Sequence, residues 1–283
     1  MKQSKPRKIA RIITPQAVVE GAGVRLKRSI ATRTLDYLDP FLLLDHFQST
    51  NPADYQAGFP LHPHRGIETV TYLLAGAVRH RDTLGNSGEI GAGDLQWMTA
   101  GRGIMHEEMP QVRSEGVAGF QLWVNLPAKL KMTAPRYQNI SAHEIPVLRA
   151  ESATIRVIAG TVDGVIGPIS GIAAEPTYLD VAVSPHASFV HAVPRGHTAF
   201  AYVFEGESGF GAEDHTVITS PRLVVWADGD TLEVKTHETP VRFLLVSGQP
   251  LREPVARYGP FVMNTREEIE RTLRELEQGT FAT

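Results

Sequence analysis

Short apolar runs alternate with turn residues along nearly the whole chain. Stretches 68–74, 119–126, 198–204, 222–227 and 241–246 are rich in Val, Ile, Leu, Tyr and Phe, with Gly, Pro or Asp close by at their ends. That is the pattern of strands between turns. Gly85-Asn86-Ser87-Gly88 and Gly91-Ala92-Gly93-Asp94 are turn clusters. Helical periodicity is clear in one place. After Asn264-Thr265-Arg266-Glu267-Glu268, the apolar residues Ile269, Leu273 and Leu276 recur on one face, and Thr265 with Glu268 fits a capping box. The pattern predicts a mostly β protein that ends in a short helix.

The runs also repeat. Tyr72-Leu73-Leu74-Ala75-Gly76 is echoed by Tyr202-Val203-Phe204-Glu205-Gly206, Gly93–Trp97 by Pro221–Trp226, and Phe120–Val124 by Phe243–Val246. Order and spacing agree at an offset of about 130 residues. A duplicated β-domain is the simplest account. The polar stretch 138–150 holds the boundary, giving domains 1–140 and 141–283, the second ending in the helix.

Composition then narrows the chemistry. Of 283 residues, 42% are hydrophobic and 21% charged, ordinary values for a globular chain. A net charge of -3 gives no basic footprint for nucleic acid and no reason to expect a membrane surface. There is no cysteine, which excludes disulfides, zinc–cysteine sites, iron–sulfur clusters and thiol nucleophiles. Any metal must be held by histidine, carboxylate, carbonyl or water. The start MKQSKPRKIARII is basic without the apolar stretch of a secretory signal, and no run of roughly 18 apolar residues occurs. A cytoplasmic monomer that contacts neither membrane nor nucleic acid is the expectation.

His62-Pro63-His64 sets two imidazoles at i and i+2, on one face of an extended chain. Pro63 assigns that strand to a sheet edge. His106-Glu107-Glu108 repeats the spacing with an imidazole and a carboxylate. His62, His64, His106 and Glu108 together make a mononuclear metal site. Three imidazoles and one carboxylate leave one or two positions open on a five- or six-coordinate ion, which suits catalysis or ligand binding. Glu107 should point away from this site, and Glu68 is the other candidate carboxylate. Arg65, Gln121 and Trp123 fall on strands or turns facing the site and read as packing or hydrogen-bonding residues. Lys129 and Lys131 follow Pro127 and read as a solvated turn. Gly101-Arg102-Gly103 is a turn rather than a phosphate cradle, and no Ser/His/Asp order or nucleophile elbow is present.

Several of these segments resemble the motifs of one family. Phe59-Pro60-Leu61-His62-Pro63-His64-Arg65-Gly66-Ile67-Glu68-Thr69-Val70 is similar to the first motif of the pirins, and the stretch from Gly93-Asp94-Leu95-Gln96-Trp97 through Gly101-Arg102-Gly103-Ile104-Met105-His106-Glu107-Glu108-Met109-Pro110 to the second. Pro250–Val255 and Gly259–Thr265 resemble the C-terminal signature. The likeness spans nearly the whole chain. Pirins belong to the cupin superfamily, so the resemblance implies an all-β bicupin: two tandem cupin-type β-barrels with a short C-terminal helix. It further implies one Fe2+ per chain in the N-terminal barrel, on His62, His64, His106 and Glu108. Imidazole and carboxylate also accept Ni, Mn, Co, Cu or Zn.

The resemblance implies quercetin 2,3-dioxygenase-type chemistry: O2-dependent ring opening of a flavonol with release of carbon monoxide. Glu108 would act there as both ligand and general base. The alternative is a non-enzymatic, iron-dependent redox sensor that regulates partner proteins. A flavonol-sized apolar cavity beside the metal discriminates the two. In the second repeat, alignment on Tyr202 and Trp226 puts Ala192, Pro194, Lys235 and His237 at the four ligand positions. The C-terminal domain is therefore expected to be structural and without metal, although His191 and His197 lie close by.

Overall fold

The structure, a computed structural model, describes residues 4–211 and 216–282. Met1–Gln3, at the basic start of the chain, lie outside the described residues. Antiparallel strands dominate, and Arg266–Glu277 is the α-helix. Thr265 caps that helix: its hydroxyl accepts from the Glu268 amide at 3.2 Å, and Glu268 Oε2 accepts from the Thr265 amide at 3.0 Å. This is the capping box expected from the sequence. No helix of the described residues is long and apolar enough to cross a membrane.

The chain forms two compact units, and each takes residues from both ends. One comprises residues 16–142 and 251–283, the other residues 1–15 and 143–250. Relative to the expected domains 1–140 and 141–283, these units differ in which chain end each takes. Ile9–Ile13 pairs antiparallel with Arg222–Trp226, so the first strand joins the unit built from the second repeat. At the other end, Phe261, Met263, Ile269 and Phe281 cluster with Met105, so the terminal helix belongs to the unit that carries the histidines. Local periodicity says that a segment is a strand or a helix; it does not say which sheet receives it.

The histidine-bearing unit has two layers. A seven-stranded sheet runs in the order Arg136–Ile140, Leu95–Thr99, Ile67–Ala75, Val117–Asn125, Phe41–Ser49, Val24–Ile30, Gln16–Glu20. A four-stranded sheet runs Phe59–His64, Ile104–Pro110, Val78–Asp82, Ser87–Ile90. The sheets stay open, in jelly-roll fashion. Val24, Leu26, Tyr55, Leu73, Val78, Ile90 and Val117 form one apolar cluster of this unit; Leu42, Ile67, Met98, Ala100, Ile104 and Val262 form another.

The second unit repeats the arrangement. Arg222–Trp226, Thr198–Phe210, Val241–Gly248 and Thr177–Val183 are neighbours in that order. They match Leu95–Thr99, Ile67–Ala75, Val117–Asn125 and Phe41–Ser49 in the first unit. The register corrects the sequence alignment by one residue. Tyr72 lies opposite Phe120, whereas Tyr202 lies opposite Leu244; Val70 lies opposite Trp97, whereas Phe200 lies opposite Val225. A slip of one residue moves a side chain to the other face of a strand. Accordingly Lys235 and His237 are exposed, and Ala192 and Pro194 are exposed as well. The buried positions on those strands are Phe189, His191, Leu232 and Val234. Phe189 and Phe210 pack at 5.8 and 5.6 Å from the ring of Phe243 in this unit's core.

Candidate metal centre

Phe59–His64 is the edge of the four-stranded sheet, where a strand can carry Pro63 without losing a ladder bond. Its neighbour Ile104–Pro110 runs antiparallel, with His106 opposite His62 and Ile104 opposite His64. Alternation along that neighbour buries Ile104, His106 and Glu108. Glu107 turns the other way, to an ion pair with Arg81 at 3.1 Å. Strand geometry thus brings the two short motifs together from 42 residues apart.

The rings of His62 and His106 are 4.5 Å apart, those of His62 and His64 4.9 Å, and those of His64 and His106 5.1 Å. One nitrogen from each lies within 4.8 Å of the others. His62 Nδ1 sits 2.9 Å from the Pro60 carbonyl, which only accepts, so Nδ1 carries the proton and Nε2 keeps its lone pair. That Nε2 is 3.1 Å from His64 Nε2. Neither ring nitrogen of buried His106 has a hydrogen-bond partner among the described residues. An unpartnered buried imidazole is costly on its own; its lone pair, converging with two others, fits a cation. Burial first, then the charges of His106 and His62, hold His64 well below the usual imidazole range. Burial, with His62 and His80, takes His106 down to about 3. Both rings are neutral at neutral pH, the form that ligates a metal.

Glu108 is buried beside the histidines, but its carboxylate lies outside their 4.8 Å cluster. Its Oε1 accepts from Thr71 Oγ1 at 2.9 Å. The structure thus gathers three of the four expected ligands and sets Glu108 next to them. Glu68 is also outside the cluster, accepting from Thr99 Oγ1 at 2.7 Å.

Of the accessory residues, Trp123 presents an edge-on contact to His64, at 5.1 Å between ring centroids. Gln121 lies 2.7 Å from Thr71 Oγ1. Arg65 is committed elsewhere: it pairs with Glu275 at 2.6 Å, donates to Thr272 Oγ1 at 3.1 Å and stacks on Phe281 at 4.6 Å. Lys129 is exposed, but Lys131 is not the solvated residue its turn suggested. Its buried ammonium donates to Gly66 O, Asn125 Oδ1 and Val262 O at 2.8–2.9 Å.

A row of polar residues crosses the seven-stranded sheet in register: Asn139, Gln96, Thr71, Gln121, Asp45 and Arg28 are successive cross-strand neighbours. Gln96 bonds Asn139 at 2.9 Å, and Arg28 holds Asp45 through two bonds at 2.8 and 2.7 Å. Two bonds reach the facing sheet, from Thr71 to Glu108 and between Gln96 and His80. Apart from Gln121, sequence reasoning missed this row. The members lie on six different strands, and only the register aligns them.

A cavity of about 570 Å³ opens beside the histidines. His62, His64, Glu108 and Trp123 line it together with Thr71, Gln121, Asp45 and Arg28. Val24, Leu26, Phe47, Tyr55, Phe59, Val78 and Val117 supply its apolar wall.

Residues 23–124 match the pirin family, and residues 178–282 match the pirin C-terminal cupin domain. A pirin-like protein of Caulobacter vibrioides is 43% identical over 277 residues, covering 97% of this chain and 99% of its own. Human pirin is 44% identical over 259 residues, covering 90% of this chain and 87% of its own. The crystal structure of a quercetin 2,3-dioxygenase from Acinetobacter baumannii superposes with a TM-score of 0.88 at 34% identity, over 98% of this chain and 99% of that one.

Proposed function

Because the chain belongs to the pirin family, built of two cupin domains, we propose that it is an iron(II)-dependent dioxygenase of the quercetin 2,3-dioxygenase type, opening the central ring of a flavonol with O2 and releasing carbon monoxide. The cavity carries this reading. Its volume of about 570 Å³ lies in the range of small-molecule sites, and it is lined by His62 and His64, two of the three clustered imidazoles, and by Glu108. A redox sensor needs a metal coupled to a surface and has no use for such a chamber.

His62, His64 and His106 would hold the ion through their ring nitrogens, which lie within 4.8 Å of one another. Glu108, buried beside them, would serve as the fourth ligand. It is also the general base, since it lines the same cavity and can take the proton of a bound hydroxyl. Iron(II) bound by this set would supply a Lewis acid for the substrate oxygen and an electron donor towards O2. Phe47, Phe59 and Val78 on the apolar wall would pack on the rings of a flavonol, and Gln121, Asp45 and Arg28, which line the same cavity, would hydrogen-bond its hydroxyls. Ni, Mn, Co, Cu or Zn would fit the same donors, so metal analysis accompanies the assay.

The test is anaerobic iron loading of the purified chain, followed by quercetin and O2 with carbon monoxide detection. Carbon monoxide should appear as quercetin is lost. A fully iron-loaded sample that consumes no quercetin and yields no carbon monoxide would replace the enzyme reading with the regulatory one.

A further inference from the structure

Thr71 has one hydroxyl proton and two oxygens around it. Its Oγ1 lies 2.9 Å from Glu108 Oε1 and 2.7 Å from Gln121 Oε1. A hydroxyl donates once, and both neighbours as placed only accept. Turning the Gln121 amide by half a rotation resolves the conflict, since its nitrogen and oxygen have nearly the same shape. Nε2 then donates to Thr71, Thr71 donates to Glu108, and the chain runs one way. The opposite direction needs a proton on Glu108, which a carboxylate ligating a cation does not carry.

We propose that Thr71 is a positioning residue: its hydroxyl, held by Gln121, fixes Oε1 of Glu108 and leaves the other carboxylate oxygen for the metal on His62, His64 and His106. This rests on the metal reading given above. The placement supports it in three ways. Thr71 stands on the seven-stranded sheet and Glu108 on the four-stranded one, so the bond spans the two layers. Gln121 is the direct cross-strand neighbour of Thr71, on the strand that also presents Trp123 to His64. Thr71 is 3% exposed, and its β-branched side chain is stiff about χ1, so its hydroxyl is held in one direction. A buried hydroxyl costs stability unless it is bonded, and valine would fill the same space without that cost.

The experiment uses the full-length chain, stripped of metal and titrated with Fe(II) under anaerobic calorimetry. Thr71→Val should bind iron roughly 10- to 100-fold more weakly than the wild type, the usual effect of losing a group that orients a ligand. Thr71→Ser should stay within about threefold of the wild type, because it keeps the hydroxyl. Gln121→Leu, which removes only the outer donor, should weaken binding in the same direction and covers the case in which Thr71→Val does not fold. Wild-type affinity in Thr71→Val, or in Gln121→Leu where Thr71→Val is unfolded, overturns the proposal. So does a Thr71→Ser as weak as Thr71→Val, since that would make the role one of packing. A wild-type chain that takes up no iron would instead overturn the metal reading itself.

Discussion

Burial of an imidazole ties stability to pH, and His46 is the residue at which this can be isolated. It is 4% exposed and stacks on Phe120 at 4.8 Å between centroids. Burial, and then the charge of Lys27, lower its pKa to about 4. An unfolded histidine titrates near 6.5. Between these values the unfolded chain binds a proton that the folded chain does not, so stability falls as pH drops from about 6.5 to about 4, and the group contributes nothing above that window. The full effect is about 3 kcal/mol. Urea unfolding of the metal-free protein at pH 7.5 and 4.5 should show a smaller acid loss in His46→Phe than in the wild type, by about 2 kcal/mol. His64 and His106 titrate in both proteins and cancel in the comparison. Equal acid losses would refute the assignment. At this scale the sequence is informative where chemistry follows local spacing. The i, i+2 histidines needed only strand geometry, and Glu107 faces outward as the alternation requires. Lys131 was illegible for the opposite reason. Its three acceptors come from Gly66, Asn125 and Val262, and nothing near residue 131 announces them.

Elements show the same division between local and cross-chain information. The terminal helix announces itself through Thr265, Glu268 and its apolar face, all within one short segment. Its docking does not, because the decisive contact is with Arg65, next to His64 and 210 residues away from Glu275. The Arg65 side chain is 4% exposed and that of Glu275 30%, so the pair lies between the weak surface ion pair and the strongly destabilising half-removal of a buried one. Glu275→Ala should therefore cost about 2 kcal/mol in denaturant unfolding. A change within about 0.5 kcal/mol would mean that Phe281 and the Arg102 carbonyl hold Arg65 without help from the carboxylate. The polar row from Asn139 to Arg28 belongs to this scale too. Every member sits on a strand whose existence is readable, yet the row exists only once six strands are in register.

For the whole molecule, the repeat is legible because the same side chains recur in the same order, and the equivalent strand neighbours in the two units bear it out. The exchange of chain ends is not legible, since Ile9–Ile13 would read as an edge strand of either sheet. What separates the units chemically is what fills them. One holds three converging imidazoles and an adjoining chamber. The other, at the corresponding strands, turns Phe189, Leu232 and Val234 inward around His191, with Phe210, Phe243 and Trp226 in the same core. His191 stacks on Phe189 at 6.1 Å, and a single imidazole among apolar side chains does not make a site. Anaerobic loading with excess Fe(II), desalting and elemental analysis should therefore give one equivalent per wild-type chain. His106→Ala removes the ring whose two nitrogens lack any other partner among the described residues, and that variant should retain well under a tenth of an equivalent while keeping its fold by circular dichroism. Retention of a full equivalent in His106→Ala would place the metal elsewhere. Two equivalents in the wild type would mean that the second unit also binds, with His191 the first residue to replace.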